Sequence, residues 1–309
     1  MSLDADVLID RRRLKRRLLL WRIVAVLAVA GCALLFLAPG LWPAGRTHLV
    51  RLTVSGLITD NRQLDEDVAA LAGNDAVRGL IVAIDSPGGS VAGGEGLHDA
   101  IERVAARKPV VAVMGGTAAS AGYMVAVPAA RIFARSSTLT GSIGVLMQTG
   151  EVSGLLERLG ITAEAITSGP LKNQPSYTHP TSPQGRDVLR GVVMDMYEQF
   201  VGMVATGRHM PPEQVHALAD GRPYTGRQAL GLGLVDAIGG EAEARAWLAT
   251  EKGIPESLPV EDLQLGGFAR RALFGAFAPV LDDVMKSLLS QGLRIDGAWA
   301  VWQPAIGNE

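Results

Sequence analysis

The chain of 309 residues has one cysteine, Cys32. No disulfide can therefore close within it, and no cysteine-built metal site exists. The 5 histidines (His48, His98, His179, His209, His216) show no H-E-x-x-H or comparable metal-ligand spacing. Lysine is nearly as scarce: Lys15, Lys108, Lys172, Lys252 and Lys286 stand in a chain otherwise biased to arginine. A lysine in an unusual setting is conspicuous in such a background. The formal net charge is −2. It lacks the basic excess of a phosphate-binding face, which argues against nucleic acid as a partner. What is abundant is apolar residue, 48% of the chain, enough for one large domain or two small ones with a sizeable core.

Residues 11-RRRLKRR-17 are basic, and 18-LLLWRIVAVLAVAGCALLFLAPGLW-42 follows. No charge appears from Ile23 to Trp42, matching the roughly 20 residues that span a bilayer. Trp21 and Trp42 flank the run where interfacial aromatics belong, and Arg22 can snorkel to the headgroups. Basic residues ahead of the span place the N-terminus in the cytoplasm and the rest outside it. A cleaved signal peptide is the competing reading. Its apolar core is shorter and ends in an A-x-A-like site, whereas Pro39, Gly40 and Pro43 follow here. The expectation is an uncleaved anchor in the bacterial inner membrane. Cys32 falls within the span, so the exported part carries no thiol, which suits an oxidising compartment.

The exported part alternates strand and helix patterns. Strands are expected at 49–58, 78–86, 109–115, 131–136, 142–148 and 161–169, and helices at 61–73, 94–108 and 152–160. A polar, proline-containing loop covers 168–183. Ser182-Pro183 then opens a long helix to about His209, and Pro211-Pro212 opens another. Residues 222-RPYTGRQALGLGLVDAIGG-240 read as turn, helix, short strand and glycine stop. This alternation implies βαβ units and an α/β class. The domain division is a cytoplasmic segment 1–17, an anchor 18–42, a catalytic domain 43–254 and a helical tail 255–309, amphipathic over 267–292.

Three short stretches carry chemistry. In 84-IDSPGGSVAGGEG-96, Gly88 and Gly93 have P-loop spacing, but Gly94-Glu95 stands where Lys and Ser/Thr are required. The Rossmann glycine pattern does not fit either. What survives is a turn exposing backbone N–H groups, able to hold an oxyanion or simply to turn the chain. In 116-GTAASAGYM-124, Ser120 stands among small residues where a helix is expected to begin. It is either a helix cap or a nucleophile whose next N–H, that of Ala121, faces the same point. A base for that serine is open among His98, His179 and Lys172. A lysine serves only if burial lowers its pKa from about 10.4 towards neutrality.

Taken together, 84-IDSPGG-89, 117-TAASAGYM-124, 138-TLTGSIGV-145, 167-TSGPLKN-173 and 224-YTGRQALGLGLVDAIGG-240 resemble, in order, the signal peptide peptidase family of SppA type. These are membrane-anchored Ser-Lys peptidases. The resemblance covers roughly residues 49–245. It implies Ser120 as nucleophile, Lys172 as general base, and Ser142 as the hydroxyl that orients the lysine. It implies an oxyanion hole of Gly88 or Gly89 with the Ala121 N–H. It implies a Clp-protease/crotonase-like fold of stacked ββα units, a homo-oligomeric ring, peptide substrates, and neither cofactor nor metal. Clp proteases share S-P-G-G and A-S-x-G but carry a catalytic histidine where this chain reads 142-SIGVL-146. That difference argues against an ATP-dependent Clp enzyme. Specific membrane proteins as substrates, as in stomatin-associated proteases, and a non-peptidase crotonase-like enzyme or scaffold are the alternatives.

Overall fold

The structure, a computed structural model, describes residues 47–263 together with Trp21 and Arg22. The expected anchor, apart from those two residues, and the expected tail beyond residue 263 lie outside the described residues. Over 255–263 the expected helical tail is corrected: Val260–Asp262 is a strand that pairs with His48–Ile58, so the sheet offers it an edge to join. Among the described residues no helix is long and apolar enough to cross a membrane.

The chain opens with β1 (His48–Ile58), α1 (Arg62–Ala70) and a 3₁₀ turn (Leu71–Gly73). Next come β2 (Val77–Gly89) and α2 (Val91–Ala105), then β3 (Val110–Ala119) and α3 (Ala121–Ala126). Two short strands, β4 (Arg131–Ala134) and β5 (Leu139–Gly141), lead to α4 (Ser153–Arg158). The long helix α5 (Pro183–Arg208) precedes α6 (Pro212–Leu218), β6 (Pro223–Thr225) and α7 (Gly226–Gly231). The chain closes with β7 (Ala237–Ile238), α8 (Glu241–Lys252) and β8 (Val260–Asp262).

Local chemistry accounts for the helix starts. Asn61 caps α1 by accepting the Leu64 N–H at 3.2 Å. Ser90 caps α2 through the Gly93 N–H at 3.1 Å, and Ser182 caps α5 through the Gly185 N–H at 3.0 Å. Because Ser90 is the cap, α2 begins at Val91 rather than at Gly94. His209 ends α5 in a left-handed conformation, with φ 53°.

The sheet is mixed, in the order β6-β5-β3-β2-β1-β8, with β4 pairing both β3 and β7. All pairs are parallel except β5 with β6. Leu80, Ile81, Val82 and Ile84 of β2 are all buried, so helices cover both faces of the sheet, as parallel pairing requires. On one face Leu49, Ile81, Val111 and Phe133 pack with Ala244 and Leu248 of α8. On the other, Leu80, Val82, Val110 and Ile132 join Leu97 and Ile101 of α2, Val125 of α3 and Phe200 of α5. The α/β expectation is met.

Two expected strands are corrected. The segment 142–148 is not a strand: pairing ends at Gly141, and Ser142 turns the chain away with φ 47°. The segment 161–169 is not one either; it has no regular structure, and Ile161 and Ile166 are 52% and 97% exposed. An apolar pattern makes a strand only where a neighbour offers an edge and a face to cover. Neither segment has one here.

One feature of β3 places the site. Its first half pairs with β4, Val111 to Met114 against Arg131 to Ala134. Its second half pairs with β5, Thr117 to Ala119 against Leu139 to Gly141. Gly115 and Gly116 lie at the switch, where the register against β2 also shifts. The Asp85 carboxylate accepts the Thr117 N–H at 3.0 Å. Thr138 Oγ1 donates to Gly115 O at 2.6 Å, and Thr140 Oγ1 donates to Ala118 O at 2.8 Å. Side-chain oxygens thus satisfy the backbone that the bulge leaves unpaired.

Candidate active site

β3 delivers the chain to Ser120, and α3 begins at the next residue. Ser120 has φ 53° and ψ −123°, a sparsely populated conformation for a residue with a Cβ. Such strain costs on the order of 1–3 kcal/mol and persists where its surroundings over-determine it. Here the Ser120 N–H is donated to Gly141 O at 2.9 Å. Its carbonyl accepts the N–H groups of Tyr123 and Met124 at 2.8 and 3.0 Å. Burial drives the Tyr123 phenol well above its ordinary pKa. It stays protonated and donates to Leu234 O at 2.8 Å, anchoring α3 from below.

The cap reading fails on geometry. Ser120 makes no side-chain capping bond to α3. Among the described residues its hydroxyl has no hydrogen-bond partner, and it stands beside the N-terminus of a helix at a strained strand-to-helix elbow. The Ala121 N–H, first in the helix, has no acceptor within the helix.

The glycine turn meets this elbow. An added Cβ at Gly88 would lie 2.9 Å from Ser120 Cβ, 3.1 Å from Ala119 O and 3.2 Å from Ala121 N. Gly88 has φ +116°, a second reason for glycine there. At Gly94 an added Cβ would lie 2.9 Å from Ala121 Cβ, so α2 also packs closely on α3. The Gly88 N–H is donated to Ser86 Oγ at 3.1 Å. The Ser90 N–H is donated to Ile58 O of β1 at 2.9 Å. Peptide N–H groups alternate in direction along a strand.

The structure therefore gathers Ser120, Ala121 and the Gly88-Gly89 turn. Ser142 stands next to Gly141, the acceptor of the Ser120 N–H, and its own Oγ donates to Gly221 O at 3.1 Å. Lys172 is exposed on a turn closed by its N–H to Gly169 O, 3.1 Å. Among the described residues no hydrogen bond joins its Nζ to Ser120 or Ser142. Neither histidine considered as a base reaches the serine. His98 Nδ1 lies 3.2 Å from Asp99 Oδ1, and His179 Nδ1 lies 3.0 Å from Thr178 Oγ1. His98, Asp99 and Glu102 on α2 form a grouping of metal-type donors. It shares no hydrogen bond with Ser120.

Residues missed by sequence reasoning are those that hold the elbow: Asp85, Ser86, Thr138 and Thr140. Ser86, Thr138 and Thr140 are buried hydroxyls. The signal for them lay in their place inside two of the quoted motifs, 84-IDSPGG-89 and 138-TLTGSIGV-145.

A serine hydroxyl on a strained strand-to-helix elbow, with a helix N-terminal N–H and a glycine turn against it, is an arrangement suited to acyl transfer by a serine nucleophile. The profile of peptidase family S49 matches residues 102–255. A Synechocystis sp. protein named provisionally as a protease is 35% identical over 229 residues, covering 72% of this chain and 83% of that protein. An Enterococcus faecium protein with the provisional name signal peptide peptidase SppA is 35% identical over 234 residues, covering 71% of this chain and 67% of that protein. Among solved structures, a ClpP1 variant from Listeria monocytogenes aligns with a TM-score of 0.40 at 20% identity, covering 62% of this chain and 91% of that one. The chain belongs to peptidase family S49, serine peptidases that work through a Ser-Lys dyad.

Proposed function

We propose that this S49 peptidase is an endopeptidase that cleaves remnant signal peptides, or other apolar peptides close to the membrane. The carrying observation is the free, strained Ser120 with Gly88 and Ala121 crowded against it. Exposed apolar side chains beside the site support an apolar substrate. Leu57 pairs with Gly88 in the sheet and is 74% exposed, and Leu139 of β5 is 47% exposed. The name carried by the Enterococcus faecium relative points the same way.

In this reading, neutral Lys172 Nζ takes the Ser120 Oγ proton as Oγ bonds to the scissile carbonyl carbon. The carbonyl electron pair moves to oxygen, and the Ala121 N–H donates a hydrogen bond to that oxyanion. Gly89 supplies the second donor. Its N–H precedes that of Ser90, which is donated to Ile58 O of β1, and strand alternation turns it away from β1. The Gly88 N–H is already engaged by Ser86. Collapse breaks the C–N bond, and the amine leaves with the proton held by Lys172. Water then attacks the acyl carbon as Lys172 takes its proton, the bond from that carbon to Ser120 Oγ breaks to release the acid, and Lys172 returns the proton to Oγ. Ser142 orients the lysine. Covering of the Lys172 turn by apolar substrate, or by a neighbouring copy in a ring, supplies the dry surroundings a lysine base requires. The anchor at 18–42 holds the Clp-protease/crotonase-type catalytic domain on the outer side of the bacterial inner membrane.

Hydrolysis of a signal-peptide-like substrate by the parent, Ser120→Ala and Lys172→Ala tests this. Both variants should lose more than about 1,000-fold in kcat/KM. Equal rates for all three would sink the proposal. Labelling by a serine-directed acylating inhibitor should map to Ser120. Cleavage confined to one membrane protein, with signal peptides spared, would favour the stomatin-associated type of substrate.

A further inference from the structure

Two glycines in a row do not hold a turn in place. Ser86 is fully buried, and a buried hydroxyl persists where its hydrogen bonds are made. Its Oγ lies 2.6 Å from Gly56 O, to which it donates, and it accepts the Gly88 N–H at 3.1 Å. Gly88 O is a further neighbour at 3.3 Å. Gly56 stands in β1 where the β1–β2 register shifts, between Ser55 and Leu57, with φ +68°. On its other side Ser86 abuts α3. An added Cβ at Gly122 would lie 2.9 Å from Ser86 O and 3.5 Å from Ser86 Cβ. One residue thus touches the β1 bulge, the glycine turn and the first turn of the helix that starts after Ser120.

We infer that Ser86 is a positioning residue for peptide hydrolysis: its hydroxyl ties Gly88 to the Gly56 bulge and so sets the Gly89 N–H against Ser120. Gly88 alone could swing at its left-handed φ. With its N–H held by Ser86 it cannot, and the turn keeps its close approach to Ser120 Cβ and Ala121 N. The oxyanion donor is then preorganised instead of being recruited as charge develops. The inference rests on Ser120 being the nucleophile.

The test uses the full chain in detergent, a signal-peptide-like substrate, separate kcat and KM values, and melting temperatures. Ser86→Ala should lower kcat about 10–100-fold with KM within about two-fold, because a small displacement of the donor acts on the transition state. Gly56→Ala adds a methyl that meets nothing within 4 Å and acts through its positive φ alone. It should lower kcat about 3–10-fold by shifting the acceptor of the Ser86 hydroxyl. Gly253→Ala is the control: φ is +64°, nothing lies within 4 Å, and the position follows α8. It should lose a similar amount of melting temperature and keep kcat. A kcat for Ser86→Ala within two-fold of the parent overturns the inference. So does a kcat that changes alike in Gly56→Ala and Gly253→Ala, a comparison that decides the matter even if Ser86→Ala does not fold. Inhibitor labelling of the parent separates the two levels. No label on Ser120 overturns the nucleophile and this inference together. A labelled Ser120 with unmoved kcat in the variants overturns only Ser86.

Discussion

Gly88→Ala would put a Cβ where nothing can give way. The three nearest atoms, at 2.9, 3.1 and 3.2 Å, are Ser120 Cβ, Ala119 O and Ala121 N, so backbone or the root of the Ser120 side chain must move. Overpacking of this kind costs about 1–3 kcal/mol. The position also has φ +116°, and an L-residue forced into such a conformation adds on the order of 1–3 kcal/mol. Together these give a loss of about 2–6 kcal/mol, part of which relaxation recovers by displacing Ser120. Displacement of a nucleophile by a fraction of an ångström to about 1 Å is enough to cost on the order of 100-fold in rate. Urea denaturation should therefore show the stability loss, and kcat should fall at least about 100-fold. Gly253→Ala, strained but unobstructed, should lose only about 1 kcal/mol and no activity. A Gly88→Ala protein with the stability and kcat of Gly253→Ala would refute the close approach of turn and serine.

Other consequences follow from the same geometry. Ser120→Gly relieves φ 53° and should raise stability by about 1 kcal/mol in denaturant melts while abolishing hydrolysis; a destabilised variant would mean the elbow is not strained. Arg208, with its side chain 8% exposed, bonds Asp236 at 2.6 and 3.0 Å and Gly233 O at 3.0 and 3.1 Å. Arg208→Met should cost about 3 kcal/mol, because the Gly233 carbonyl loses the guanidinium and the Asp236 carboxylate keeps only the Ile132 N–H; a loss under about 1 kcal/mol would contradict it. The Gly240 N–H holds the Glu243 carboxyl below its ordinary pKa at the start of α8. A depressed acid stabilises the fold above its unfolded pKa, near 4.3, and that stability is lost as pH falls through the lower folded value. Melting temperatures from pH 6 to pH 3 should fall less steeply for Glu243→Gln than for the parent, and identical slopes would remove Glu243 from the account.

Much of the fold was legible in the sequence where the signal was local. Capping serines and prolines announced α5 and α6, and apolar runs bounded by glycine announced β1, β2 and β3. The failures at 142–148 and 161–169 came from apolar stretches with no edge to join. Their surroundings, not their composition, decide what such stretches become. The ends of β2 and β3 ran longer than their apolar cores because pairing continued into glycine and alanine, where hydropathy gives no warning.

The sequence by itself determined the family, through five ordered motifs, and the absence of any thiol beyond Cys32. It also named Ser120, but left it balanced between a cap and a nucleophile. Only tertiary structure removes the cap, because φ 53° and a hydroxyl that makes no capping bond are properties of an elbow held by β5, Gly88 and α3 together. Structure alone also drew out Ser86, since a buried hydroxyl is informative only once its partners are known. Lys172 marks the opposite case. Its motif assigns it a part, and the single chain leaves it exposed on a turn. Its chemistry depends on desolvation, a property of whatever packs over that turn and not of any one residue.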